Sequence, residues 1–177
     1  MRFRIDLRVF IFLILFYLTN QIEIYALIMC FAIIHELGHL LAGIVLGFSP
    51  NKIEINPFGV SIGFKMNLKD YNKKIKKANI IEEKKIFVAM AGPIVNLLVI
   101  FIVNNLNINI YEKTMVIYSN LLLILFNLLP IVPLDGGRIL KGILHINFGK
   151  EKAEKYICDI SFILLIILTA ISSIAIL

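Results

Sequence analysis

The chain has 177 residues, 59% of them hydrophobic and 17% charged, with a mean hydropathy of +0.89. Soluble domains carry about 45–50% apolar and about 25% charged residues, so this composition excludes an ordinary water-soluble globule and assigns the chain to a bilayer. The net charge of +6 is explained by membrane topology rather than by nucleic acid, and Cys30 and Cys158, with no CxxC spacing, exclude a disulfide framework or a cysteine-based metal site.

Met1–Arg4 is basic and leads into an apolar stretch, as in a signal peptide. No small-residue cleavage site follows, so the segment reads as a retained first anchor. A spanning helix needs about 20 apolar residues. Candidate spans follow at about Val9–Asn20 (short), Ile24–Phe48, Ile86–Val103, from Met115 onward, and Ile157–Leu177. Pro130 and Pro133 interrupt the fourth, predicting a helix to Leu129, an extended stretch to Asp135 and a second helix over Gly136–Ile146. Broken helices persist in membranes where the released backbone lines a protein cavity, so the break itself points to a site.

The expected fold is an all-α polytopic membrane protein with about five spans, residues 1–177 forming one domain with its core over about 24–146. Lys and Arg set the orientation. Threading five spans from a cytoplasmic N-terminus puts 17 of the 18 basic residues inside and only Lys113 outside. The C-terminus is then outside. Between the second and third spans, Lys52–Phe64 alternates apolar residues around Asn56-Pro57-Phe58-Gly59, predicting a short β-hairpin on the cytoplasmic side. Lys69–Lys85 reads as a helical surface facing solvent or lipid headgroups.

The second span carries His35-Glu36-Leu37-Gly38-His39. Residues four apart share one helix face, so both imidazoles can reach one tetrahedral metal, with Glu36 beside them as general base. An acid at mid-span costs about 2.5–3.5 kcal/mol, which a bound cation offsets. Catalytic zinc needs a third protein ligand. Asp135 is the candidate, because Pro130 and Pro133 fix an extended path and Gly136-Gly137 permit the return to helix. Asp159 and His145 read as interfacial residues.

Gly43 and Gly47 stand at small-xxx-small spacing, and Gly92-Pro93 predicts a kink and a contact point in the third span. Asn96, one turn on, either orients a ligand or bridges helices. Asn127 bonds the extended backbone beside it or that of a bound substrate. His39 stands nine residues before Phe48, about 13 Å at 1.5 Å per residue, which places the metal nearer the cytoplasmic face.

With HELGH in one span, AGPIVN (Ala91–Asn96) in the next and NLLPIVPLDGGR (Asn127–Arg138) in the one after, the chain resembles the site-2 protease family of intramembrane zinc metalloproteases. The fit is closest to the bacterial branch containing the stage IV sporulation protein FB. The resemblance runs from about Ile24 to Leu140. It implies one Zn2+ held by His35, His39 and Asp135, Glu36 as the catalytic residue, and a substrate path bordered by Pro57, Phe58 and Gly59. It also implies a multi-pass protein of a bacterial cell membrane that cleaves a membrane-associated protein. In that branch the substrate is a sporulation sigma-factor precursor. Membrane lipid and inhibitory membrane proteins are further candidate partners.

The sequence departs from that branch in showing no sixth span and no nucleotide-sensing CBS domain. Two other readings fit an intramembrane His/Asp set: a metal-ion carrier and a catalytically inactive scaffold. A carrier has no need of Glu36 beside a ligand, and a dead relative should have lost a ligand or the base.

Overall fold

The computed structural model describes residues 2–57, 59–65, 75–107 and 109–176. In chain order these form β1 (Arg2–Ile5), α1 (Arg8–Leu18), α2 (Ile22–Val45), β2 (Ser49–Asn56), β3 (Gly59–Lys65), α3 (Ile75–Asn105), α4 (Ile110–Asn127), α5 (Asp135–Phe148) and α6 (Lys150–Ile176).

Among the described residues, three helices are long and apolar enough to cross a bilayer: α2, Asn79–Asn105 within α3, and Lys150–Ile174 within α6. The expected count of five is not confirmed. The 11 residues of α1 cover about 16 Å at 1.5 Å per residue, half of the ~30 Å hydrocarbon layer. The helix that contains the fourth candidate, α4, starts before Met115 and takes in Glu112 and Lys113. The outward faces of the long helices are apolar, with Phe87, Phe101, Ile166 and Ile171 exposed. Exposed apolar side chains in such number suit lipid rather than water.

The chain divides into two compact units. One comprises Met1–Asn67 and Ala91–Leu125, the other Leu68–Met90 and Phe126–Leu177.

The first unit contains a three-stranded mixed sheet in the order β1-β2-β3. The predicted hairpin is present, with Ile53 opposite Ile62 and Ile55 opposite Val60. The basic N-terminus, expected to lead directly into an anchor, instead adds a strand. β1 pairs in parallel with β2, Phe3 opposite Ile53 and Ile5 opposite Ile55, and Arg4 lies 3.9 Å from Glu54. A four-residue strand has too little pattern to stand out in a sequence, and long-range pairing creates it.

The hairpin packs along α2. Tyr25 donates to the Pro57 carbonyl at 3.0 Å, Gly59 packs on Ala32, the Ile62 amide donates to Glu36, and Phe64 packs on Gly43. On α2 these positions are spaced 7, 4 and 7, a single helical stripe. They cover about 27 Å of helix, against about 23 Å for the seven strand steps from Pro57 to Phe64. β3 therefore runs back along α2 for most of its length. The hairpin accompanies a candidate span for most of that helix's length. Gly38 lets α3 approach the same helix, because a Cβ there would lie 2.8 Å from Val95 and 3.0 Å from the Ala91 carbonyl.

In the second unit α5 packs on α6, where Ala153 and Ile157 are buried. Gly142 sits against Ile86, and the buried Glu82 carboxylate lies 2.6 Å from Lys85 and 3.5 Å from His145 Nδ1. A buried carboxylate needs such partners. His145 is thus largely enclosed, not the plain interfacial residue expected. Asp159 is exposed, as expected.

Candidate active site

His35, Glu36 and His39 are buried on α2. Helical spacing brings the two rings edge to face, with Nε2 of His35 and Nε2 of His39 3.1 Å apart. One Glu36 oxygen accepts the Ile62 backbone N–H at 2.5 Å, and the other stands 4.0 Å from His39 Nε2. The acid therefore sits beside the two convergent nitrogens.

Asp135 opens α5 and is 4% exposed. The predicted break is present, but it starts two residues earlier than expected and is a run of turns rather than an extended stretch. α4 ends at Asn127, Ile131 bonds to the Leu129 carbonyl, Leu134 bonds to the Ile131 carbonyl, and Leu134 is extended. Val132 donates its amide to Ser161 Oγ on α6 at 3.1 Å. The turn is tight. Cβ atoms at Gly136 or Gly137 would overlap the Leu128 and Ile131 carbonyls, which explains two glycines at the start of a helix. Arg138 Nη1 lies 3.5 Å from the Asp135 carboxylate.

His35 and His39 are buried side by side in the first unit and Asp135 is buried at the start of α5 in the second, and these three are residue types that could hold a metal ion. Two imidazoles and one carboxylate form a donor set suited to zinc, and three protein ligands leave a fourth position open to water. The spacing also fits. Adjacent donors of a tetrahedral zinc with bonds of 2.0–2.1 Å are about 3.3 Å apart, close to the separation of the two Nε2 atoms. Gly92 on α3 supplies room. A Cβ there would fall 2.5 Å from both Nε2 atoms, in the space the converging nitrogens face.

Pro93 lies inside α3 without ending it. Asn96, one turn beyond Gly92, is wholly buried, and neither amide atom has a hydrogen-bond partner among the described residues. Asn127 is half-buried at the end of α4. At the hairpin tip, Pro57 and Gly59 are buried against the first half of α2, and Phe58 lies outside the described residues, as do residues 69–74 of the lysine-rich segment. The strand residue that reaches Glu36 is Ile62, which the sequence did not suggest. Its contact is through the backbone, so no side-chain signal marks it. Ser161 was also missed, although a polar residue inside the apolar run of α6 was a visible clue.

The model of the Peptidase family M50 matches residues 106–168, a stretch that includes Asp135. The chain is 33% identical over 144 residues to a zinc metalloprotease of Methanocaldococcus jannaschii, covering 77% of this chain and 39% of that protein. It thus spans about two fifths of that relative's length. The solved structure of the site-2 protease from Methanocaldococcus jannaschii matches with a TM-score of 0.67 at 26% identity, over 99% of this chain and 84% of that one.

Proposed function

Family model, curated relative and solved structure together support placing the chain in peptidase family M50, the site-2 proteases, and from that premise we propose that it is a membrane zinc metalloprotease acting on a membrane-associated protein. The observation that carries this reading is the pair of converging His35 and His39 nitrogens with the Glu36 carboxylate beside them.

In this reading His35, His39 and Asp135 hold one zinc ion. Zinc, when bound, acidifies a water and polarises the scissile carbonyl. Glu36 accepts the water's proton and returns it to the leaving amine. Arg138 steadies the Asp135 carboxylate. Asn127, Pro57, Phe58 and Gly59 border the substrate path. A helical substrate hides its carbonyls in its own hydrogen bonds, so it is presented extended, with β3 offering a strand edge. The finer assignment is a regulatory client such as a sporulation sigma-factor precursor, cleaved near the cytoplasmic face by a protein whose N-terminus is cytoplasmic. It rests on the HELGH and PLDGG motifs and on the distribution of basic residues.

The test is co-expression with such a precursor in a heterologous host, comparing wild type, Glu36→Gln and Asp135→Ala by product size and by zinc content of the purified protein. A protease processes the client only as wild type. Glu36→Gln keeps its zinc and Asp135→Ala loses it. A carrier or an inactive scaffold shows no processing in any form.

A further inference from the structure

The Ile62 amide that reaches Glu36 belongs to the outer edge of β3. In an antiparallel pair the backbone groups of alternate residues point to opposite sides of a strand. Ile62 donates to α2, so its N–H points away from β2, and Val60 shares that orientation. Among the described residues no strand lies beyond β3. The groups that an added peptide strand would pair with are therefore those that face Glu36.

β3 is also held in place on both sides of this contact. Tyr25 grips the Pro57 carbonyl, Gly59 packs on Ala32, and Phe64 fills the notch at Gly43. The strand cannot drift from α2 without breaking these contacts, so the Glu36–Ile62 hydrogen bond is a fixed feature of the resting chain. An N–H has one hydrogen to donate. A peptide that extends the sheet at β3 and the carboxylate of Glu36 compete for it.

We propose that the Glu36–Ile62 hydrogen bond is a resting latch, which an extended peptide opens by taking over the Ile62 N–H when it pairs with β3. This deepens the protease reading and rests on it. Glu36 is held by the strand until a substrate in the correct extended form displaces it. The base is thereby handed over only when a scissile carbonyl has been seated, and a helical segment, which cannot pair with β3, leaves the latch shut.

The test uses the full chain in detergent micelles, stripped of metal by a chelator so that no turnover occurs. Two quantities are read: hydrogen exchange at the Ile62 amide, and affinity for an acetylated apolar pentapeptide, Val-Ile-Val-Ile-Val. In Glu36→Ala the Ile62 amide exchanges about tenfold faster or more, the factor expected for loss of one hydrogen bond to a charged acceptor. The other amides of β2 and β3 keep their rates. The same variant binds the pentapeptide about tenfold more tightly than wild type.

Ile62→Pro removes the N–H at an edge position where proline is tolerated, and abolishes peptide binding. Ile62→Val keeps the N–H and retains the wild-type values. Unchanged exchange in Glu36→Ala, equal peptide affinity in wild type and Glu36→Ala, or no peptide binding to any form would each overturn the latch. Failure of the zinc-loaded wild type to hydrolyse any peptide would instead overturn the protease reading, since neither latch readout depends on turnover.

Discussion

Val132 and Ser161, 29 residues apart, are joined by a 3.1 Å hydrogen bond from the Val132 amide to the serine Oγ, whose own proton goes to the Ile157 carbonyl. The serine thus satisfies a backbone donor in the non-helical stretch that leads to Asp135. In a bilayer such a donor has no water to turn to. Ser161→Ala removes its partner, at a cost of about 0.5–1.5 kcal/mol. Thermal unfolding of the purified variant should show a lower midpoint, and chelator competition should show weaker zinc binding. An unchanged midpoint would mean that Val132 finds another acceptor.

Gly92 leaves room for the two imidazoles. The Cβ of Gly92→Ala would lie 2.5 Å from each Nε2, and a neighbour that close must shift. Displacing either ring costs metal affinity, on the order of 10–100-fold by analogy with other changes around ligating histidines. Chelator competition measures it. Wild-type zinc affinity in Gly92→Ala would argue against coordination through the two Nε2 atoms.

Asn96 is wholly buried with neither amide atom hydrogen-bonded among the described residues. Leucine has nearly the same size and no polar atoms to satisfy. Asn96→Leu is therefore expected to leave the thermal midpoint unchanged or raised, since replacing an unsatisfied polar group with an apolar one is neutral or favourable. A loss of more than about 1 kcal/mol would instead assign Asn96 a bridging role between helices.

Asp6, two residues before α1, accepts the Arg8 backbone N–H at 2.9 Å and the Arg8 guanidinium at 3.0 Å. The backbone bond first, and then the guanidinium, hold its carboxyl below the usual carboxylate range. Because the folded pKa is below the unfolded one, its contribution is complete above about pH 4 and is lost as pH falls through the lowered value. Amide exchange in the first turn of α1 should accelerate over that acid range. Asp6→Asn should remove the pH dependence.

Much of the metal group is legible in one dimension. Histidines four apart on a helix share a face whatever surrounds them, and an acid inside a span demands a partner. The break before Asp135 is equally local, because two prolines cannot continue a helix and two glycines can restart one where the backbone is crowded. The limits of these elements are set within a few residues by rules acting over one or two turns.

Other features follow from contacts between distant residues. β1 exists only because Phe3 and Ile5 find Ile53 and Ile55. The hairpin was readable, but not its course along α2, which depends on Tyr25, Ala32, Glu36 and Gly43 forming one stripe facing β3. Ile62 meets Glu36 through a backbone amide, and any residue but proline would supply the same donor. Side-chain identity therefore determined the chemistry available to this chain, and the register of strand against helix decided which backbone groups it meets. A periodic pattern specifies a face, and only packing specifies how far along that face two elements slide before they lock.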